Sequence, residues 1–242
     1  MSLLDIIDVS KSFGGLQALQ DISFSVESGE IVGIMGANGA GKTTLFSLIA
    51  GHARPNKGEM IMAGQSLKGL RPNRVCRLGA ARTFQIVRPF RNLTVLDNVM
   101  TAVLFGRDHK SSKAEAEIRA RQVLDEIGLA ERADQAAGTL TLSGQKRLEV
   151  AKALATGPRL LMLDEVMAGL TPSEVKEMLA VIRRLKDSYE LTILIIEHVM
   201  QALMGLSDRI IVLHHGEMIA EGTPAAVAKD PRVLEAYIGG AA

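Results

Sequence analysis

The sequence predicts an α/β protein with a parallel β-sheet core, an N-terminal antiparallel β layer and a helical insert. The apolar run Ile31–Met35 leads through a glycine-rich turn into the helical segment Thr43–Ala50. The strand-like segments Leu160–Leu163 and Thr192–Glu197 are in turn separated by an amphipathic helix. Strands that alternate with helices form parallel sheets. Residues 21–26 alternate polar and apolar side chains, which is typical of a half-buried antiparallel strand.

The helical insert is predicted between residues 93 and 156, where the strand pattern disappears. Helical patterns broken by glycines occupy Thr94–Phe105, Lys113–Ile127 and Gln145–Thr156. We therefore predict one domain over residues 1–242. Its α/β core and β layer comprise residues 1–92 and 157–242, and its helical subdomain comprises residues 93–156.

Two local patterns predict further elements, and the first of them has a clear start. Thr171 is predicted to cap a helix in which Pro172 takes the first position and Glu174 completes a capping box. The apolar residues on one face of that helix are Val175, Met178, Leu179, Ile182 and Leu185. Near the end of the chain, Arg209–Leu213 and Met218–Glu221 have the pattern of a β-hairpin.

Composition limits the classes of function. The chain has 242 residues, 47% of them hydrophobic, which is enough for a full core. Lys+Arg of 28 against Asp+Glu of 27 gives a net charge of +1, so overall charge gives no reason to expect nucleic acid. With a single cysteine, Cys76, and no secretory signal pattern, a reducing cytoplasm is expected. No apolar run approaches the roughly 20 residues of a membrane-spanning helix.

Residues 36–43 form a candidate phosphate-binding loop. They fit the pattern G-x-x-x-x-G-K-[ST] and lie between a buried strand and a helix N-terminus, as the pattern requires. Glycines let backbone N–H groups surround phosphate oxygens, the helix N-terminus adds partial positive charge, and Lys42 adds a full one. A plain glycine turn before a helix is the alternative. The candidate nucleotide-binding residues are Gly36, Asn38, Gly39, Ala40, Gly41, Lys42, Thr43 and Thr44.

Asp164 and Glu165 are candidate catalytic carboxylates. They follow an apolar strand at its C-terminal end, the edge where parallel sheets bind ligands. One carboxylate at such a position, Asp164, can hold Mg²⁺, while the other, Glu165, orients or deprotonates an attacking water molecule. Acidic side chains with no role at a strand end are the alternative.

Two further polar residues are weaker candidates on their own. His198 directly follows the predicted strand Thr192–Glu197 and is expected at the same sheet edge, within reach of a γ-phosphate. Gln85 precedes the helical insert, where its amide can complete the ligands of Mg²⁺ or of the attacking water.

These motifs follow one another in a recognisable order: Phe13, the phosphate loop, Gln85, Leu140–Gln145, Asp164-Glu165, Ala168–Thr171 and His198. Order and spacing resemble those of the ABC ATPases over nearly the whole chain. The resemblance implies a P-loop, RecA-like fold that hydrolyses ATP with Mg²⁺. By the same resemblance Phe13 stacks on adenine, Glu165, His198 and Gln85 are catalytic, and Thr43, Gln85 and Asp164 hold Mg²⁺.

The signature segment of the family departs from its usual sequence. Leu-Ser-Gly-Gly-Gln is replaced here by Leu140-Thr-Leu-Ser-Gly-Gln145, which permits two alignments. The ungapped alignment pairs the signature serine with Thr141, and the gapped one uses Ser143. We prefer the ungapped alignment because deleting a residue at a helix start rotates the following face by about 100°. The resemblance implies that Thr141, Ser143 and Gly144 contact the ATP of the opposite subunit.

Four segments resemble the ATP-binding subunits of branched-chain amino-acid importers: Arg82–Val95, Ile196–His198, Glu221–Pro224 and Ala236–Gly239. This resemblance implies a second ATP-binding subunit, two membrane permease subunits contacted near Gln85 to Thr94, and indirectly a periplasmic substrate-binding protein. It also implies a peripheral position on the cytoplasmic face of the plasma membrane.

Two other functions stay open at this point. A non-transport ABC ATPase acting on DNA or ribosomes would use a basic patch, for which the candidates are Arg71, Arg74, Arg77, Arg82, Arg88 and Arg91. Such relatives usually carry two ATPase domains or a long insertion, and this chain has neither. A nucleotide-gated adaptor that binds ATP but hardly hydrolyses it is the second possibility, suggested by the unusual signature segment.

Overall fold

A computed structural model describes residues 2–107 and 111–238, which form two compact units. Residues 2–72 and 192–238 belong to the first unit, and the described residues of 73–191 belong to the second. Gly239, which ends the last importer-like segment, lies outside the described residues.

The secondary structure alternates strands and helices along most of the chain. Up to residue 66 the elements are β1 (Ser2–Phe13), β2 (Leu16–Glu27), β3 (Ile31–Met35), α1 (Lys42–Ile49), β4 (Lys57–Met62) and β5 (Gln65–Ser66). Helix α2 (Pro72–Leu78) starts at the last residue of this segment of the first unit and continues in the second. The second unit also contains β6 (Ala80–Arg82), α3 (Val95–Phe105), α4 (Lys113–Glu126), α5 (Leu142–Ala155), β7 (Leu160–Asp164) and α6 (Pro172–Tyr189). The chain returns to the first unit with β8 (Thr192–Ile196), α7 (Met200–Leu206), β9 (Arg209–His214), β10 (Glu217–Gly222), α8 (Pro224–Val227) and α9 (Pro231–Ile238).

The first unit contains an antiparallel sheet with the strand order β2-β1-β4-β5. In β2 the side chains of Ile22, Phe24 and Val26 are buried, while the residues between them are exposed. The alternate residues of β2 are therefore buried on one face of the sheet and exposed on the other. This pattern confirms the antiparallel strand that the sequence predicts at residues 21–26.

The same unit contains parallel strands. β3 pairs in parallel with both β8 and β9, and β10 pairs antiparallel with β9 as a hairpin. Every residue of β3 and of β8 is buried. Continuous apolar runs are typical of strands covered on both faces, so the burial of every residue in β3 and β8 explains the two short apolar runs in the sequence.

In the second unit β6 pairs in parallel with β7, which places Arg82 beside Met162. Helix α3 packs against α4 and α5. The three helices predicted between residues 93 and 156 are present, although α5 begins three residues earlier than predicted, directly after Thr141. The predicted subdomain boundaries at residues 92 and 156 stay a prediction.

Helix α6 begins where its capping signals predict. Thr171 is the N-cap residue, Pro172 occupies the first turn, and both hydrogen bonds of a capping box join Thr171 to Glu174. Within the described ranges, 2–107 and 111–238, we find no helix with the length and apolar character that crossing a membrane requires.

Candidate active site

The loop between β3 and α1 has two glycines at which the backbone passes close to neighbouring chain. A Cβ atom on Gly36 would lie 2.4 Å from the carbonyl oxygen of Leu213. A Cβ atom on Gly41 would lie 2.7 Å from the carbonyl oxygen of Ala18, and Gly41 also has a φ of 105°. Because no side chain fits at either position, the loop conformation depends on the glycine spacing that defines the sequence motif.

Lys42 is folded back over this loop. Its Nζ donates hydrogen bonds to the carbonyl oxygens of Gly36 at 2.7 Å and Ala37 at 3.0 Å, and the residue is only 6% exposed. Lys42 is also the first residue of α1, with Gly41 as the N-cap. A full positive charge therefore lies beside a helix N-terminus that no side chain caps, which is a suitable environment for phosphate groups.

The β9–β10 turn supports the loop from one side. The backbone N–H of Gly216 donates to the carbonyl of Ala40 at 3.1 Å, and its carbonyl accepts a hydrogen bond from Gln20 N–H at 2.8 Å. The turn thus joins the phosphate loop to β2. The sequence predicts the hairpin but gives no sign of this contact.

Asp164, the last residue of β7, is in a buried ion pair with Arg82 at the end of β6. Arg82 Nη2 lies 2.6 Å from Asp164 Oδ2, and the two side chains are 8% and 2% exposed. The backbone N–H of Asp164 also donates to Thr83 Oγ1 at 2.9 Å. Within the described part of the chain, no donor reaches the other carboxylate oxygen, Oδ1. One oxygen of Asp164 is therefore fixed by protein, and the other is available to a ligand.

Glu165 is held by both its side chain and its backbone. Gln85 Nε2 donates to Glu165 Oε2 at 2.7 Å, and Lys146 Nζ donates to the Glu165 carbonyl at 2.8 Å. Lys146 also donates to the carbonyl of Gln85 at 3.1 Å. Glu165 is 8% exposed and has a φ of 51°, in the left-handed region. The structure thus brings together two predicted catalytic residues and adds a third residue that the sequence did not indicate.

The signature segment begins a helix. Thr141 is the N-cap of α5, and its hydroxyl accepts a hydrogen bond from Gly144 N–H at 3.3 Å. Ser143 lies in the first turn of the same helix, and its hydroxyl contributes to the lowered pKa of the Glu174 carboxyl. Thr141, which the ungapped alignment pairs with the signature serine, therefore caps the start of the helix through its hydroxyl.

Two other predicted residues lie at the surface. The ring of Phe13, at the end of β1, is 52% exposed and carries Lys11 Nζ 4.7 Å from its centre. A half-exposed ring offers a flat face to a ligand, whereas a core phenylalanine does not. His198 is exposed and follows β8 by two residues rather than directly, because the strand ends at Ile196.

The structure removes one of the six arginines from the predicted basic patch. Because Arg82 is buried against Asp164, its charge is compensated inside the fold and is not offered to an external polyanion. Five of the six arginines suggested for such a patch remain: Arg71, Arg74, Arg77, Arg88 and Arg91.

Comparison with known families identifies the chain. Residues 19–168 match the family model described as ABC transporter, and residues 217–242 match the one described as branched-chain amino acid ATP-binding cassette transporter. The chain belongs to the ABC transporter family.

Relatives within the ABC family match this chain over nearly its whole length. The Escherichia coli high-affinity branched-chain amino acid transport ATP-binding protein LivG is 39% identical, covering 98% of both chains. The Escherichia coli lipopolysaccharide export system ATP-binding protein LptB is 34% identical, covering 99% of this chain and 98% of its own. A crystal structure of an ABC transporter ATP-binding cassette in its ADP conformation has a TM-score of 0.88 at 30% identity and covers 99% of both chains.

Family membership confirms the predicted fold class and activity: the chain is an ABC ATPase with the P-loop fold, and it binds adenine nucleotide. It is close in sequence to the ATP-binding subunits of branched-chain amino-acid transport.

The residues of the candidate site fit a magnesium ion that is shared with a nucleotide. Residues 2–107 and 111–238 contain no group of three or more His, Cys, Asp or Glu side chains placed to hold a metal ion. Mg²⁺ bound with ATP needs only one or two carboxylates, because phosphate oxygens and water complete its octahedral coordination. The buried Oδ1 of Asp164, which no protein donor reaches within the described ranges, is suitable for this role.

Proposed function

We propose that this chain is the ATP-hydrolysing subunit of an importer for branched-chain amino acids or related small substrates. The match of residues 217–242 to the branched-chain amino acid ATP-binding cassette model is the observation that carries the proposal. It is supported by the higher identity to LivG, 39%, than to LptB, 34%. The branched-chain model matches the C-terminal part of the chain, outside residues 19–168, which match the general ABC model.

In the proposed reaction, the phosphate loop binds the triphosphate and Glu165 acts on the attacking water. Lys42 and the backbone N–H groups of residues 36–44 neutralise phosphate charge. Glu165 orients or deprotonates the water molecule, and Gln85, already hydrogen-bonded to Glu165, helps to place it. His198 contacts the γ-phosphate, and Phe13 stacks on the adenine ring.

Thr43, Gln85 and Asp164 would hold Mg²⁺, which supplies positive charge to the phosphate oxygens and neutralises charge that develops on them. Asp164 contributes one carboxylate oxygen while Arg82 keeps the other in place. The permanently charged guanidinium of Arg82 pairs with Oδ2 of Asp164, which leaves Oδ1 as the oxygen that would bind the cation.

We further propose that two such chains bind two ATP molecules between them. Thr141, Ser143 and Gly144 of one chain contact the ATP held by the phosphate loop of the other chain. ATP closes the pair, and hydrolysis removes the bridge so that the pair reopens. The location of Thr141 at a helix N-terminus supports anion binding there.

The segment at residues 85–94 is proposed to contact the two permease subunits. It is irregular in structure and exposes three apolar side chains: Ile86 is 70%, Phe90 52% and Leu93 42% exposed. Exposed apolar groups in one segment mark an interaction site. Through the permeases the chain acts with a periplasmic substrate-binding protein, and its proposed location is the cytoplasmic face of the plasma membrane.

The central experiment measures Mg²⁺-dependent ATP hydrolysis against protein concentration for the wild type and Glu165→Gln. We expect turnover per chain to rise with concentration, because the complete site needs two chains, and Glu165→Gln to lose it while retaining ATP. Light scattering should show an ATP-stabilised dimer of the variant. Negligible wild-type turnover, both alone and with the permeases, would instead favour a nucleotide-gated adaptor.

A second experiment distinguishes import from export. In cells from which the gene has been deleted, uptake of radiolabelled leucine should be restored by the wild type but not by Lys42→Ala. Unchanged leucine uptake in the deletion strain, together with defective surface lipid export, would replace the importer proposal with a function like that of LptB.

A further inference from the structure

Lys146 is a buried cation to which the proposed reaction gives no role. It lies in the first half of α5 and is 4% exposed. Its ammonium group donates to two backbone carbonyls, those of Glu165 at 2.8 Å and Gln85 at 3.1 Å. Because a buried ammonium group is unfavourable unless it is hydrogen-bonded, the fold strongly favours keeping both bonds.

The bond to Glu165 acts on a strained residue. With a φ of 51°, Glu165 occupies the left-handed region, which is unfavourable for residues other than glycine and persists only where the surrounding structure holds it. Lys146 holds the carbonyl of Glu165, and this bond helps to keep the backbone conformation from which the Glu165 side chain projects.

The bond to Gln85 closes a ring of contacts. The Gln85 side chain donates to the Glu165 carboxylate at 2.7 Å, while Lys146 holds the carbonyls of both residues. Lys146 therefore supports the contact between the Gln85 amide and the Glu165 carboxylate by bonding to the backbone carbonyls of both residues.

We propose that Lys146 is a positioning residue for ATP hydrolysis, which holds Glu165 and Gln85 in one arrangement and links both to the helix that begins after Thr141. This inference rests on the proposed role of Glu165. Since α5 is one continuous helix, Lys146 lies on the same element as the signature segment that is proposed to contact the partner's ATP. Lys146 thus joins that helix to Gln85 and Glu165 through hydrogen bonds within one chain.

The test compares steady-state ATP hydrolysis by full-length wild type, Lys146→Met, Gln85→Ala and the double variant, at the protein concentration where wild-type turnover per chain is maximal. Lys152→Met is the matched control, because Lys152 lies on the same helix but pairs with Glu149 and the carbonyl of Arg88. Affinity for a fluorescent ADP analogue is measured in parallel to report on the phosphate loop.

We expect Lys146→Met to lower kcat about 10- to 100-fold, the usual effect of losing a positioning contact, with KM for ATP and analogue affinity within about threefold of the wild type. Lys152→Met should stay within about twofold of the wild type in kcat. If Lys146 acts through the Gln85–Glu165 contact, the double variant should lose no more than the worse single variant.

Three results would overturn the inference: a kcat of Lys146→Met within twofold of the wild type, single losses that multiply in the double variant, or a loss of analogue affinity as large as the loss of kcat. If Lys146→Met does not fold, the same cycle is run with Lys146→Gln, which keeps one N–H donor group and is subject to the same criteria. A wild type that hydrolyses no ATP would contradict the proposed function itself, which is a separate and recognisable outcome.

Discussion

The Arg82–Asp164 ion pair shows how strongly a single residue of the site can affect the fold. Both side chains are at least nine-tenths buried, so neither charge is well solvated without the other. Replacing one partner leaves a buried charge uncompensated, and this is far less favourable than removing both.

We therefore predict that Arg82→Met lowers the free energy of unfolding by about 3–5 kcal/mol, as measured by urea denaturation. The control is Arg121→Met, which breaks the exposed pair with Glu117, where the side chains are 49% and 45% exposed. That variant should lose at most about 0.5 kcal/mol. Equal losses in the two variants would show that the buried pair does not stabilise the fold.

A second prediction concerns Gly41, whose φ and close contact with Ala18 exclude a side chain. Gly41→Ala should weaken ATP binding at least about tenfold, because a Cβ at this distance forces the phosphate loop away from β2. Gly15→Ala is the control, since a Cβ there meets no atom within 4 Å and its φ is not positive. Isothermal titration of both variants with ATP measures the difference, and normal binding by Gly41→Ala would contradict this account of the loop.

At the scale of elements, helix α6 combines a capping box with a pKa shift. Thr171 donates to the Glu174 carboxylate through its backbone N–H at 2.8 Å and its hydroxyl at 2.9 Å. These two bonds, assisted by Ser143 and Arg147 and opposed by slight desolvation, lower the pKa of Glu174 below its ordinary value of 4.5. A lowered pKa stabilises the fold above the unfolded-state pKa, and this contribution is lost as the pH falls through the folded-state value.

We predict that Thr171→Ala lowers the free energy of unfolding by about 1 kcal/mol at pH 7, the usual cost of losing an N-cap. The difference from the wild type should shrink as the pH falls below about 4.5, because a protonated Glu174 no longer makes the charge-assisted bonds. Ser173→Ala, on the exposed first turn, is the control. A difference independent of pH would mean that the carboxylate does not take part in the cap.

The exposed segment at residues 85–94 leads to a prediction about the assembled transporter. Phe90→Ser should leave ATP hydrolysis by the isolated chain unchanged but weaken docking to the permeases, because a central aromatic residue often contributes about 2 kcal/mol or more to an interface. Phe105→Ser is the control, since Phe105 is 71% exposed but lies outside this segment. Co-purification with the permeases and leucine uptake measure the effect, and normal uptake by Phe90→Ser would reject the contact.

Elements were predictable from the sequence where their signals are local. The Thr171 cap lies within four residues of its partner, and the buried runs at β3 and β8 are short and uninterrupted. The sequence predicts an N-terminal β layer but not the bounds of β1, because register shifts interrupt the pairing of β1 with β2 and its apolar residues do not follow a period of two. The start of α5 was predicted too late because the cap at Thr141, rather than the apolar pattern, determines it.

The site was predictable as a set of motifs but not as a set of contacts. The candidate phosphate-binding residues are contiguous in the chain, and the glycine spacing describes the loop that they form well. By contrast, Arg82 and Asp164 are 82 residues apart, and Lys146 lies 19 residues before Glu165. Such pairs arise when distant elements pack together, and nothing in one sequence distinguishes a buried arginine or lysine from a solvated one.

At the scale of the whole molecule, the first unit is assembled from both ends of the chain. Ile31 of β3 pairs with Ile193 of β8, and Val32 pairs with Arg209 of β9. The phosphate loop follows β3 directly, and β9 and β10 form the hairpin whose turn supports it. The proposed nucleotide site therefore depends on pairing between segments that are far apart in sequence.

Nucleotide binding should consequently stabilise the folded chain as a whole. We predict that ATP at about 100 times its dissociation constant raises the free energy of unfolding by about 2.7 kcal/mol, because only the folded loop binds it. Lys42→Met should lose most of this increment, since Lys42 supplies the charge held over the loop by Gly36 and Ala37. Lys57→Met, at an exposed position on β4, should retain it. Because Lys42→Met also removes two hydrogen bonds, each variant is compared with itself with and without ATP. An equal increment in both variants would show that the phosphates bind elsewhere on the chain.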